Sequence, residues 1–361
     1  MQVCRALGGA LLLTAASLLL ALAASAAELS PAMQKLVAEA AREGEIDLAW
    51  SQGTLGGSEG AARFERELNQ MFGTSLHVKF TPAPNMAATA NELAMRDGAG
   101  QPAQTDVYLG FSRDIAEIAG RNLFLSANWQ ELLPGRIPDG VVERDGTLVK
   151  TQTALLGVTY NTALVPAPPT SVYDFLKPEW KGKIATTPYS ASFDILASDD
   201  FLGAEKALAY AKALAPQVGG LIRCDGYEDL ASGLYDALVL DCDGSGVGRL
   251  IRKGAPLTHA TLRDFPAMSY FYFAVPRRAP HAAAGKLFVA FSMTPEGQKI
   301  ERDTWDWDLH LYPDSTMRKV VADAEAKNGT KFKSLDITWQ LGNTKGRETW
   351  REINRMLNVK K

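Results

Sequence analysis

T-A-L-L-G-V-T-Y-N-T-A-L (153–164), V-P-A-P-P-T (165–170) and Y-D-F-L-K-P-E-W-K-G-K-I-A-T-T-P-Y-S-A-S (173–192) decide how this chain is put together. The first run is apolar and β-branched and reads as a strand ending at Asn161. Pro166, Pro168 and Pro169 then form a stiff spacer, and a second apolar strand, Lys183 to Thr187, begins after Gly182. A strand that stops, is spaced off and restarts is expected where a chain crosses from one lobe to another.

Outward from this stretch, strands and helices alternate on both sides. Upstream, helix Pro31–Glu43 is followed by strand Ile46–Trp50, a glycine-rich loop and helix Glu59–Phe72. Strand Leu76–Phe80, helix Ala87–Arg96, strand Asp106–Leu109 and helix Ser112–Ala119 continue the pattern. Downstream come Lys183–Thr187, helix Ala204–Leu214, strands Gly219–Arg223 and Ala237–Asp241 around helix Glu228–Tyr235, and the aromatic strand Ser269–Val275. Helices close the chain at His281–Met293, Ser315–Lys327 and Gly346–Val359. The expectation is an α/β protein of two lobes, each a mostly parallel sheet flanked by helices, with two hinge crossings. Residues 27–157 plus 272–361 are expected to form lobe 1 and residues 158–271 lobe 2, with Gly157, Thr159 and Asn161 as hinge residues beside the returning strand.

Residues 1–26 read as a cleaved secretory signal peptide: Arg5, a Leu- and Ala-rich run, then the small-residue site Ala24-Ser25-Ala26. A membrane anchor is the competing reading of that run, and export to the periplasm the favoured one. Elsewhere no run approaches membrane-spanning length. With 38 basic and 41 acidic side chains the net charge is −3, which gives no electrostatic footprint for nucleic acid. Past the leader only Cys224 and Cys242 remain; placed at two strand ends of a βαβ unit that point the same way, they are a candidate disulfide in an oxidising compartment, against the alternative of two buried thiols.

Strand-to-helix loops supply the candidate ligand groups, because ligands of open α/β sheets sit at the carboxyl ends of strands. The loop at residues 51–58 offers Ser51, Gln52, Gly53 and Thr54, with Ser58 as a helix cap. The end of the third strand offers Tyr108, Phe111 and Ser112. Across the gap lie Tyr189, Ser190 and Ser192, the acidic strand ends Asp225, Asp241 and Asp243, and Tyr270 on the returning strand. Gly56-Gly57-Ser58-Glu59-Gly60 also fits a nucleophile elbow, which makes a secreted serine hydrolase using Ser58 the rival reading, although the serine stands too far past its strand. Asp243 to Gly248 lacks the third glycine of a dinucleotide fingerprint, there is no Walker motif, and the histidines form no zinc pair, so neither cofactor, metal nor catalytic group is expected.

Four motifs together, G-T-L-G-G at 53–57, T-D-V-Y-L-G at 105–110, G-V-T-Y-N-T at 157–162 and P-E-W-K-G-K-I-A at 178–185, give the chain a resemblance to the extracellular solute-binding proteins of ABC importers. The group it resembles includes ferric-ion binders and relatives for phosphorylated sugars, phosphonates, thiamine and polyamines. The resemblance implies a two-lobed periplasmic-binding-protein fold and a monomer. It also implies a small-molecule or ion ligand held in the cleft and a membrane permease as partner; a periplasmic ligand sensor is the alternative role. Ferric-ion binders carry adjacent tyrosines after the strand that here reads D-A-L-V-L-D-C-D-G-S, which argues against iron held in that way.

Overall fold

A computed structural model describes residues 29–224 and 226–358. The signal-peptide expectation and Asp225 lie outside the described residues. Strands are β1 (Glu45–Ser51), β2 (His77–Ala83), β3 (Tyr108–Phe111), β4 (Val142–Glu143), β5 (Leu148–Leu155), β6 (Gly157–Asn161), β7 (Ile184–Thr186), β8 (Val218–Leu221), β9 (Ala237–Asp241), β10 (Leu257–Thr261), β11 (Ala267–Ala274) and β12 (Lys333–Leu335).

Two lobes follow from the pairing. In one, β1 and β2 form a parallel pair, and a second sheet runs β12-β11-β5-β4 with β3 against β11. The other is a single sheet in the order β10-β6-β9-β7-β8. Side chains also stitch β1 to the segment before β3: the Trp50 indole donates to the Val107 carbonyl at 2.7 Å, and Thr105 Oγ1 accepts from the Ala49 amide at 3.1 Å. Trp50 stacks on Phe273, and Phe64 on Phe288, so the aromatic core of this lobe is drawn from both ends of the chain.

The two-lobed α/β architecture is as expected, but the sheets are mixed where mostly parallel ones were expected. The cause is the crossing itself. β5 runs into β6 through Leu156, β10 returns into β11 through residues 262–266, and the two paths lie side by side in opposite senses. Each sheet therefore contains antiparallel pairs, and β5, β6 and β11 are buried along their whole length, as central strands are. The Leu156 amide donates to the Ala267 carbonyl at 3.0 Å, which ties the two crossings together.

This geometry corrects the hinge assignment. The returning strand pairs with β5, whereas β6 pairs with β10, a polar strand that the sequence reading missed. Gly157 sits at the crossing, where a Cβ would lie 2.1 Å from the Ala260 carbonyl oxygen, so only glycine allows the two paths to approach this closely. Thr159 and Asn161 belong to the interior of the second sheet; the Asn161 side-chain amide donates to the Leu230 carbonyl at 2.8 Å.

The end of the chain also departs from expectation. Helix Thr344–Leu357, assigned to the first lobe, packs on helices Gly203–Leu214 and Phe193–Leu196 of the second, while helix Ile337–Gly342 before it packs on Ser112–Ile118 of the first. The amphipathic pattern of this last helix identifies a face to be buried, not the partner that buries it.

Candidate functional site

A cavity of 1070 Å³ opens between the lobes, lined by the 51–60 loop and Phe111 from one side and by Tyr189, Ser192, Tyr227 and Asp243 from the other. The first wall is shaped by positive-φ turns: Gly56 and Gly57 stand at φ 74° and 69°, and a Cβ on Gly60 would lie 1.6 Å from the Leu55 carbonyl oxygen. The glycines thus serve the turn. Helix Ser58–Phe72 takes Gly57 as its N-cap with no side-chain capping bond, so the capping role expected of Ser58 is not seen.

The opposite wall is a strained loop held from several directions. Ser190 and Ser192 adopt φ of 44° and 64°, unusual for residues with a Cβ. The Ala191 amide donates to Thr187 Oγ1 at 2.7 Å, and the Trp350 indole donates to the Tyr189 and Ser190 carbonyls at 3.0 Å each. The last helix therefore buttresses the loop that presents Tyr189. Tyr189 Oη accepts from the Cys224 amide at 3.0 Å.

Cys224 and Cys242 form the expected disulfide, with Cα atoms 5.9 Å apart, and both line the cavity. Because β7 lies between β8 and β9, the bridge spans the end of β7 and braces the floor of the cleft. Leu240, at φ 51°, marks an irregularity at the end of β9 that turns Asp241 inward. There Asp241 accepts from Tyr227 Oη at 3.0 Å on both oxygens, from the Cys242 amide at 2.7 Å, and from Thr159 Oγ1.

Of the predicted ligand groups, Ser51, Gln52, Gly53, Thr54, Phe111, Tyr189, Ser192 and Asp243 line the cavity. Tyr108, Ser112, Ser190, Asp241 and Tyr270 do not. Tyr108 is core, stacked on Phe124; Ser112 bonds Ser269 in the interior; Ser190 is fully buried. Tyr270 bonds Ser334 at 2.6 Å and lies under the Lys150 ammonium, with its hydroxyl pushed up to about 12 by burial. For Tyr108 and Tyr270 the cause is the strand itself, since position along a strand does not tell which of two alternating faces points to the gap.

Missed by the sequence reading are the arginines at the cavity, among them Arg63, Arg66, Arg113, Arg223, Arg249 and Arg252. Arg113 stacks over Trp350 at 4.7 Å and has Asp114 and Asp194 at 3.7 and 3.6 Å. Contacts among the described residues also join the lobes at the rim. Arg223 donates to the Pro84 carbonyl at 3.0 Å, and Asp306 accepts from the Arg249 amide and from the Arg252 guanidinium at 3.1 and 2.5 Å.

The site is poorly suited to iron through phenolates. Burial, and then the charges of Asp241 and Asp243, hold the Tyr227 hydroxyl well above its ordinary value, so it stays a donor to Asp241. Two clusters among the described residues have metal-like spacing. In one, Cys224 and Cys242 are bridged; in the other, both oxygens of Asp106 accept the amides of Asp47 and His281 and so hold backbone together. Among the described residues Ser58 has no hydrogen bond to a histidine, so no geometric observation favours the hydrolase reading.

Asp243 is 2 % exposed and its carboxyl is pushed up to about 6, chiefly by burial and then by Asp241, against the Ser245 amide and His259. A folded-state pKa raised above the unfolded value means that burial costs nothing below about pH 4 and costs most above pH 6. Wild type should therefore lose roughly 2 kcal/mol, relative to Asp243→Asn, between pH 4 and pH 7. Urea unfolding of both proteins across that range checks this; parallel curves would refute it.

No protein-family profile and no curated protein matches the sequence. Solved structures do. A substrate-binding protein of an ABC transporter from Agrobacterium tumefaciens aligns with TM-score 0.70 at 14% identity, over 87% of this chain and 96% of that one. This chain has the fold of the two-lobed periplasmic binding proteins. Others of the fold are the iron-bound HitA of Pseudomonas aeruginosa (TM-score 0.65, 14% identity, 86% and 99% covered) and the fructose-6-phosphate-bound AfuA of Actinobacillus pleuropneumoniae (0.62, 16%, 87% and 96%). As a periplasmic-binding-protein fold it has its cavity in the crevice between lobes, beside the paired crossings. No helix among the described residues is long and apolar enough to cross a membrane.

Proposed function

We propose that the protein is the solute-capturing component of an ABC importer, exported to the periplasm and acting as a monomer without catalysis. A small polar or charged organic solute enters the cleft, contacts both lobes and shifts the population toward the closed form, which docks on a membrane permease. The observation supporting this reading is a cavity lined from both lobes directly beside two hydrogen-bonded crossings. Its 1070 Å³ suits an organic molecule far better than a bare ion. The hinge is read at Leu155–Gly157 and at residues 261–267, the links between the two sheets.

Small-angle scattering tests closure. Saturation with a small-molecule extract of bacterial cells should reduce the radius of gyration, and Arg223→Ala, which removes the bond to Pro84, should raise the concentration needed. A radius unchanged at saturating bound solute would refute closure about the crossings.

A further inference from the structure

The cleft is electrically two-ended. At its floor, one carboxylate oxygen of Asp243 accepts from the Ser245 amide at 2.8 Å, and the Ser245 hydroxyl also helps hold the carboxyl ionised. Asp243 is 2 % exposed and lines the cavity, so its carboxylate borders the space a solute would fill, with no cation at ion-pair distance among the described residues. The nearby charge of Asp241 adds to the negative potential there, opposed in part by His259. An unpaired buried carboxylate is costly, and an ammonium group is the partner that relieves it.

At the rim the balance reverses. Arg63 is matched by Asp303 at 2.7 Å and Arg252 by Asp306. Among the described residues, Arg66 by contrast meets only the Ala62 carbonyl, and the Arg249 guanidinium has only Glu228 at 3.9 Å. These two cations come from opposite lobes and lie on the same cavity. An anionic group held between them would draw the lobes together.

Resting on the capture reading above, we infer that the solute is a zwitterionic organic acid, its ammonium set against Asp243 at the floor and its carboxylate or phosphonate between Arg66 and Arg249 at the rim. A purely anionic solute leaves the Asp243 carboxylate without a cation, and a purely cationic one gives the rim nothing to close on.

Calorimetric titration with three matched sets of probes tests this: amino acids and N-carboxyalkyl amino acids, the same skeletons with hydroxyl replacing the amine, and the corresponding amines without the acid. Saturable binding is expected in the first set, at least tenfold weaker in the other two. Asp243→Asn should abolish the preference for the amine while leaving the anionic analogues unchanged, and Arg66→Ala with Arg249→Ala should abolish the preference for the acid. Equal affinity for an amine-free or acid-free analogue overturns the inference, as does an Asp243→Asn variant that keeps the preference. If no probe binds but the small-molecule extract does, the solute class is wrong and capture stands. If neither binds, capture itself fails.

Discussion

Asp241→Ala should lower the stability of the protein by about 3–5 kcal/mol. The side chain is fully buried and collects the Tyr227 hydroxyl, the Thr159 hydroxyl and the Cys242 amide, with His259 Nδ1 at 3.6 Å. Truncation strands these donors in a site that water cannot readily reach, and the stranded groups dominate the cost. Asp241→Asn keeps one acceptor oxygen and should lose about half as much. Urea unfolding read by tryptophan fluorescence separates the two variants. A loss below about 1 kcal/mol for alanine would show that the network contributes only as much as an ordinary exposed hydrogen bond.

Removing the disulfide should come next. Cys224 and Cys242 are 18 residues apart, and closing a loop of that size in the unfolded chain corresponds to about 3 kcal/mol in the chain-entropy treatment. The Cys224→Ser, Cys242→Ser double variant should melt well below the oxidised wild type and be indifferent to reducing agent, whereas wild type should fall toward the variant when reduced. Solute affinity should fall as well, since the bridge fixes the Cys224 amide that Tyr189 accepts. Identical melting with and without reductant in wild type would refute the stabilising role.

How far the sequence could be read depended on the kind of signal. Alternating strand and helix periods, the cysteine pair and the hydroxyl-rich loop around Tyr189 are local features, and each appears in the structure where its pattern implies. β10 was missed because T-H-A-T is polar and half-exposed along its length, so period-2 alternation is absent. The cavity arginines were missed for a related reason: Arg63 and Arg66 sit on the outer turns of an amphipathic helix, where a solvated face and a cleft wall have the same sequence. Asp241 and Asp243 stand two residues apart and were read as equivalent. The irregularity at Leu240 directs the first into the interior network and leaves the second at the cleft, a distinction of backbone geometry that composition does not carry.

The return of the last helix to the second lobe has a practical side. Helix Pro31–Glu43 is anchored to Ala282–Ser292 of the first lobe, whereas Thr344–Leu357 is anchored to the second. The two ends of the described chain thus lie on different lobes, and fluorophores attached there would report the proposed closure as a change of energy transfer. On the proposed function, the ends of the described chain are already placed as an optical reporter of solute capture.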